Sequence, residues 1–158
     1  MLFLVDAMLG NIAKKLRLFG FDSEYFSDMD DSELIEKAKN GNRIIISRDH
    51  RLIDRAKKNK ISSIYITKEN EIEQFLEILK TTHLKLDKIS SDTARCTKCN
   101  SSTSRINKTD IESKVPQGVL EYNDLFWKCD ECDQIYWEGT HIINLQKFMD
   151  EINLKSQS

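Results

Sequence analysis

Apolar and polar positions change period several times along the first ninety residues. Leu2–Val5 is an unbroken apolar run, short enough for a buried strand. From Leu9 onward, Ile12, Ala13, Leu16 and Phe19 recur at helical spacing, and Gly20 stands where a left-handed residue would stop the helix. Ser23–Phe26 reads as a second strand. An aspartate-rich turn, Ser27 to Asp31, leads into a helix that turns Leu34, Ile35 and Ala38 inward and ends at Gly41. Its N-terminus can be capped by Asp30, with Glu33 three residues on, or by Asp31. Arg43–Ser47, with Ile44, Ile45 and Ile46, is the clearest strand. A basic helix from about His50 to Asn59, a strand over Ile61–Ile66 and an amphipathic helix from Glu69 to about Leu79 complete the series.

Strands that alternate with helices predict an α/β fold: a parallel sheet flanked by helices, its crossovers right-handed. The periodicity fades around Leu84–Ala94, where polar residues such as Ser90 and Ser91 take over. This divides the chain into an α/β domain over residues 1–88 and a smaller domain over 94–153 that closes with a C-terminal helix. Ser156, Gln157 and Ser158 are expected to fray.

The smaller part carries all four cysteines, as two CxxC pairs: Cys96 with Cys99, and Cys129 with Cys132. Two such knuckles deliver four thiolates tetrahedrally, the donor set of a closed structural zinc site. Disulfides need an oxidising compartment, and a redox CxxC normally comes singly at the start of a helix. Here the pairs lie among strand-like segments, Leu125–Lys128 and Gln134–Trp137. So small a ribbon buries little apolar surface, and its metal is expected to supply much of its folding free energy. His141 lies just beyond the second knuckle and is surplus to a four-sulfur shell.

Composition adds limits. Charged residues are 32% of the chain and apolar ones 39%, enough for one modest core under a solvated surface. No apolar run is long enough to span a membrane, and Asp6 interrupts the first run too early for a signal peptide, so a cytoplasmic location is the default. A net charge of −2 makes no general case for nucleic acid. Two basic groups are local exceptions: Lys14, Lys15 and Arg17, and the set from Arg48 through Arg51 and Arg55 to Lys60. Either can be a solvated helix face or a track for phosphates.

The acids carry the chemistry. Asp6 follows the first strand, Asp28, Asp30 and Asp31 follow the second, and Asp49 follows the third after Arg48. Parallel strands all end at one edge, so these carboxylates are expected to converge there. Gathered carboxylates repel unless a cation neutralises them, and Mg²⁺ or Mn²⁺ suits an oxygen-lined site. Such a metal can activate water against a phosphodiester. The plainer alternative is that each aspartate caps a helix or finishes a turn. A phosphoacceptor receiver-like domain also places acids after parallel strands, but the attached ribbon and Arg48-Asp49 speak against it.

Taken together, Asp6-Ala-Met-Leu-Gly, Lys15-Leu-Arg-Leu-Phe-Gly-Phe-Asp22, Asp28-Met-Asp-Asp and Arg43-Ile-Ile-Ile-Ser-Arg-Asp49 resemble the PIN-like ribonuclease domain of the Mut-seven C-terminal family. Cys96–Asn100, Phe126–Cys132 and Tyr136-Trp-Glu-Gly-Thr-His141 resemble its zinc ribbon, so the likeness covers roughly residues 1–145. It implies a PIN-like fold and Mg²⁺- or Mn²⁺-dependent endoribonuclease activity on RNA, whether tRNA, rRNA or mRNA. Residue by residue, Asp6, Asp31 and Asp49 fall at the family's acids, and Asp28 or Asp30 can serve as the fourth. Ser47 stands where the family usually has Thr, Thr97 where it often has Pro, and Asp133 where it often has Gly. Arg17, Arg48 and Arg51 are expected to grip phosphates, with Trp137 and His141 adding contacts from the ribbon. Trp127, Tyr136 and Trp137 can either stack on bases or form the ribbon's core. The rival expectation is a non-catalytic RNA- or ribosome-binding adaptor whose acids are vestigial.

Overall fold

A computed structural model describes residues 1–158. Strands β1 (Leu2–Val5), β2 (Asp22–Tyr25), β3 (Ile44–Ser47) and β4 (Ser63–Tyr65) form one parallel sheet in the order β2-β1-β3-β4. The register sets Val5 beside Tyr25 and Ile46, and Ser47 beside Tyr65. The residues that follow β1 and β3 therefore emerge at the same edge. Each strand is only three or four residues long, and β1 and β3 are buried on both faces, which is why they read as continuous apolar runs.

Helices α1 (Gly10–Leu18), α2 (Asp31–Gly41), α3 (His50–Lys58) and α4 (Glu71–Thr82) return the chain between and after the strands. Leu34, Ala38, Leu52 and Ala56 of α2 and α3 pack with Leu4 and Ile45 on one face of the sheet. Ile12 and Leu16 of α1 and Phe75 and Ile78 of α4 pack with Phe3, Val5 and Ile46 on the other. The helix stops are local chemistry: Gly20 at φ 96° after α1, and Asn42 in the left-handed region after α2.

The rest of the chain builds an antiparallel sheet from β5 (Thr103–Ile106), β6 (Phe126–Cys129) and β7 (Ile135–Trp137), with α5 (Gln117–Tyr122) between its first two strands. It ends in α6 (Thr140–Ser156), so the helix runs into the tail expected to fray. Strand β5 and helix α5 lie outside the sequence expectation, because Thr-Ser-Arg-Ile and Gln-Gly-Val-Leu-Glu-Tyr carry almost no periodic signal.

Helix α6 does not stay with the ribbon. Its Leu145, Met149 and Ile152 are buried in the cluster formed by α1, α4 and the parallel sheet, and Trp127 of β6 joins them. Phe75 of α4 sits edge-on between Phe19 and Phe148, at 5.8 and 5.4 Å. Burying each such side chain contributes about 1.5–3 kcal/mol, so α6 and Trp127 bind the two parts through one continuous core. A second small cluster of Ile111, Leu120 and Phe126 belongs to the ribbon alone.

Candidate active site and metal centre

Asp6 leaves β1 at the carboxyl edge of the parallel sheet. Its Oδ1 accepts from Ala7 N–H at 2.8 Å, capping a single 3-10 turn over Ala7–Leu9. Its Oδ2 accepts from the Ser47 hydroxyl at 2.7 Å. Ser47 is fully buried at the end of β3, and its Oγ in turn accepts from Asp49 N–H at 2.9 Å. One hydroxyl thus joins the Asp6 carboxylate to the backbone of Asp49 beyond the neighbouring strand. A serine supplies this bridge as well as a threonine does, because the bridge uses only Oγ.

Asp49 Oδ1 accepts from Arg51 N–H at 2.9 Å and caps α3. Asp30 caps α2 through Glu33 N–H at 2.9 Å, which resolves the choice between Asp30 and Asp31. Freed from capping, Asp31 opens α2 with its carboxyl pushed up from the usual range. Burial is the main cause, followed by the negative charges of Asp49, Asp6 and Asp30, with Arg55 opposing them. The nearest cation, Arg55 Nη1, lies at 4.0 Å from Asp31. Asp28 is exposed on the β2–α2 loop. The three acids share a rim, yet they are not drawn as tight as the cysteines, which are the one group of potential ligands with all donor atoms within 4.8 Å of one another.

The basic residues divide. Arg48 is half-buried at the same rim, and its only ion pair is a loose one, 4.0 Å from the exposed Glu69. Arg51 is exposed at the start of α3. Arg17 departs from the expected phosphate contact: it is 6% exposed, and it donates to Ser23 O at 2.8 Å and to Thr97 O at 2.6 Å. Its guanidinium is consumed in joining α1 and β2 to the first CxxC knuckle. Trp137 is half-buried, tilted against Phe126 at 6.4 Å, and its indole nitrogen would lie 2.8 Å from a Cβ at Gly139. That close approach explains the glycine. His141 is exposed on the first turn of α6. Trp127 is buried and stacked on Tyr136 at 5.8 Å, so both belong to the protein interior.

The four cysteines come together from the turn before β5 and the β6–β7 hairpin, all of them free. Cys96 Sγ lies 3.4 Å from Cys132 Sγ, and Cys99 Sγ 3.4 Å from Cys129 Sγ. A disulfide needs ~2.05 Å, whereas a tetrahedral site with Zn–S near ~2.3 Å needs sulfur separations of roughly 3.8 Å. The donor set and spacing fit a metal ion. Burial pushes the Cys129 thiol up to about 12, while hydrogen bonding to Ser101 is the main cause that holds Cys99 near 6. Four thiolates gathered this closely repel one another without a cation, and a metal that binds them displaces thiol protons.

This centre is anchored away from the acids. Asn100 Oδ1 accepts from Ser23 N–H at 3.0 Å on the free edge of β2, and its Nδ2 donates to Asp22 Oδ1 at 2.7 Å. Asp22 also takes Arg43 at 2.8 Å and Arg95 at 3.5 Å. Since Asp22 opens β2, the knuckle docks at the amino edge, one strand length or roughly 13 Å from the rim. Sequence reasoning missed this clamp, because Asp22 and Asn100 match no pattern until topology pairs them. Gln74, 4% exposed on α4, was missed as well. Its signal was present: a polar residue on the helix stripe of Phe75, Ile78 and Leu79.

Fold and sites define an α/β protein with acids at the carboxyl edge of its sheet and a ribbon whose four clustered cysteines could hold a metal ion. The chain belongs to the Mut7-C RNAse domain family, whose model matches residues 1–149 and so takes in both parts. That membership makes it ribonuclease-like. Neither a curated protein nor a solved structure matches the chain. No helix is long and apolar enough to cross a membrane.

Proposed function

We propose that the protein is a metal-dependent endoribonuclease, with Asp6, Asp31 and Asp49 holding one or two Mg²⁺ or Mn²⁺ ions and Asp30 or Asp28 assisting. The observation that carries this reading is the Asp6–Ser47–Asp49 link, in which one hydroxyl joins the Asp6 carboxylate to the backbone N–H of Asp49 at one sheet edge. A bound ion would supply an activated water and offset charge on the phosphodiester in the transition state. The chain's own residues do the rest. Ser47 fixes the Asp6 carboxylate, the caps orient Asp49 and Asp30, and Arg48 and Arg51 hold the phosphates on either side. The four cysteines hold a structural Zn²⁺ that takes no part in the chemistry, since a closed sulfur shell leaves no open position.

A non-catalytic RNA- or ribosome-binding adaptor is the second reading. It is favoured by the caps, since Asp6, Asp30 and Asp49 each have one oxygen engaged in ending a helix or turn. Asp6→Asn and Asp49→Asn variants, assayed with Mn²⁺ on structured and single-stranded RNA, separate the two. Loss of cleavage with RNA binding intact supports the nuclease. Undiminished cleavage by both variants removes the catalytic assignment, and RNA binding without cleavage by the wild-type protein selects the adaptor.

A further inference from the structure

A cavity of about 400 Å³ opens at the carboxyl edge between the start of α1 and the β4–α4 loop. Its walls include Met8, Gly10, Tyr25, Arg48, Glu69 and Gln74. Met8 lies two residues after Asp6, and Arg48 immediately before Asp49, so the cavity adjoins the rim where the acids gather. Its size falls in the ~300–1,000 Å³ range of small-ligand sites.

The polar group in it is specific. Gln74 is 4% exposed, and its Nε2 donates to Lys68 O at 2.8 Å and to Glu69 O at 3.4 Å. Two carbonyl acceptors fix the amide orientation, since only the nitrogen can face them. No donor reaches Oε1, and it is not among the buried polar atoms sealed from solvent, so this acceptor faces the cavity that Gln74 lines. Water completes this acceptor in the free protein, and a ligand N–H that enters the cavity can take its place.

Asn11, Lys14, Arg48 and Glu71 give the cavity a polar, charged rim, and Tyr25, Gly10 and Met8 shape its walls. The Tyr25 hydroxyl donates to Ala7 O at 2.8 Å, which leaves its ring as a wall. A Cβ at Gly10 would meet that ring at 3.1 Å, so the glycine keeps the wall in place. Met8 is 72% exposed at the mouth, a polarizable side chain suited to a flat ring.

We propose that this cavity is a nucleobase subsite, which seats a base flanking the scissile phosphate by accepting a hydrogen bond from its exocyclic amino group at Gln74 Oε1. Adenine, cytosine and guanine carry such an amine, and uracil does not. As a subsite for a substrate RNA, this rests on the nuclease reading. The base preference itself is testable without cleavage.

The experiment titrates the zinc-loaded protein, without added Mg²⁺ or Mn²⁺, with AMP, CMP and UMP, followed by NMR at the Gln74 side-chain amide and the Met8 methyl. AMP and CMP are expected to bind about tenfold more tightly than UMP, the worth of one hydrogen bond to a buried acceptor, and to shift both signals. Equal affinities, or shifts confined to other residues, overturn the proposal. A substrate-side change spares the protein's fold: RNA carrying purine riboside in place of adenosine lacks the amine alone. About tenfold slower cleavage is expected next to the substituted base, and unchanged cleavage at every position overturns the subsite. If wild-type protein cleaves no RNA while AMP still outbinds UMP at Gln74, the nuclease reading fails and the base site stands.

Discussion

The two edges of the parallel sheet treat aspartate differently. At the amino edge, Asp22 meets Arg43, Arg95 and Asn100. Burial alone would push its carboxyl up, but the hydrogen bonds from Arg43 and Asn100 and the charges of both arginines outweigh it and hold the group below the usual range. At the carboxyl edge, Asp31 has one loose cation, Arg55 at 4.0 Å, and burial with Asp49, Asp6 and Asp30 outweighs it and pushes the carboxyl the other way. The same side chain within one fold thus serves as a satisfied strut at one edge and as an unneutralised charge at the other. Acids that the fold leaves uncompensated are candidates for function, and acids it surrounds with arginine are holding something together.

What the amino edge holds is the ribbon, and the largest expected effect tests that. Chelating the metal, or changing Cys129→Ser, removes the centre that fixes the Cys96–Asn100 turn against β2. Structural zinc is worth about 10–16 kcal/mol in small metal-folded peptides, and here the shared core retains part of that. A loss of several kcal/mol is expected, read as a fall in thermal midpoint with one zinc per chain found by mass spectrometry. An unchanged midpoint in metal-free protein would show that the amino edge needs no ribbon.

The carboxyl edge should respond the opposite way, in rate and not in stability. Asp6→Asn and Asp49→Asn are each expected to slow cleavage by about a hundredfold or more, because outer-shell changes at metal sites already cost ~10–100-fold. The thermal midpoint of Asp49→Asn should stay close to that of the wild type, since asparagine keeps the cap oxygen, whereas Asp6→Asn also takes the acceptor from the buried Ser47 hydroxyl and should cost about 1 kcal/mol. A large destabilisation without rate loss would make these acids struts like Asp22.

Asp22→Asn reverses that pattern. It leaves Arg95 without its anion and Arg43 with Glu24 alone, and a loss of about 1–3 kcal/mol is expected, less than for a fully buried pair. The sign with pH follows from the depressed carboxyl. Its contribution is fully present above the ordinary aspartate range and disappears as pH falls through the lower folded value. Denaturant titrations of wild type and variant should therefore converge in acid and separate toward neutral pH.

The contrast between edges was only half legible in the sequence. Asp6 and Asp49 could be read as rim residues because apolar runs end at them, and strand direction does the rest. The cysteines were legible because CxxC spacing is local. The Asp22–Arg43–Arg95–Asn100 clamp was not, since it joins residues from two strands and a knuckle whose proximity exists only after docking. Arg17 misled for a related reason. A lysine- and arginine-rich helix end looks solvated, yet this arginine faces inward at the one point where the knuckle's carbonyl waits for a donor. The burial of α6 in the first core was hidden too, because its apolar positions predict a helix with one buried face but not which surface covers it.

Asp31 offers the smallest effect and the sharpest sign. Its position at the start of α2 should favour a negative charge by about 0.3–1 kcal/mol through the helix dipole. Its carboxyl is nonetheless pushed up, so burial and the neighbouring acids outweigh the dipole. For a carboxyl raised in the folded state, the cost of ionising it there is absent below the unfolded pKa of about 3.9 and sets in as pH rises through the folded value. The side chain is 39% exposed, so solvent screens much of this cost. Asp31→Asn should therefore stabilise the protein by less than about 1 kcal/mol at neutral pH without divalent ions, and by nothing in acid. Adding Mn²⁺ should raise the midpoint of the wild type and leave that of the variant nearly still, inverting their order. A variant less stable than the wild type at neutral pH in chelator would mean that Arg55 already neutralises Asp31, and the carboxyl edge would then be built like the amino edge.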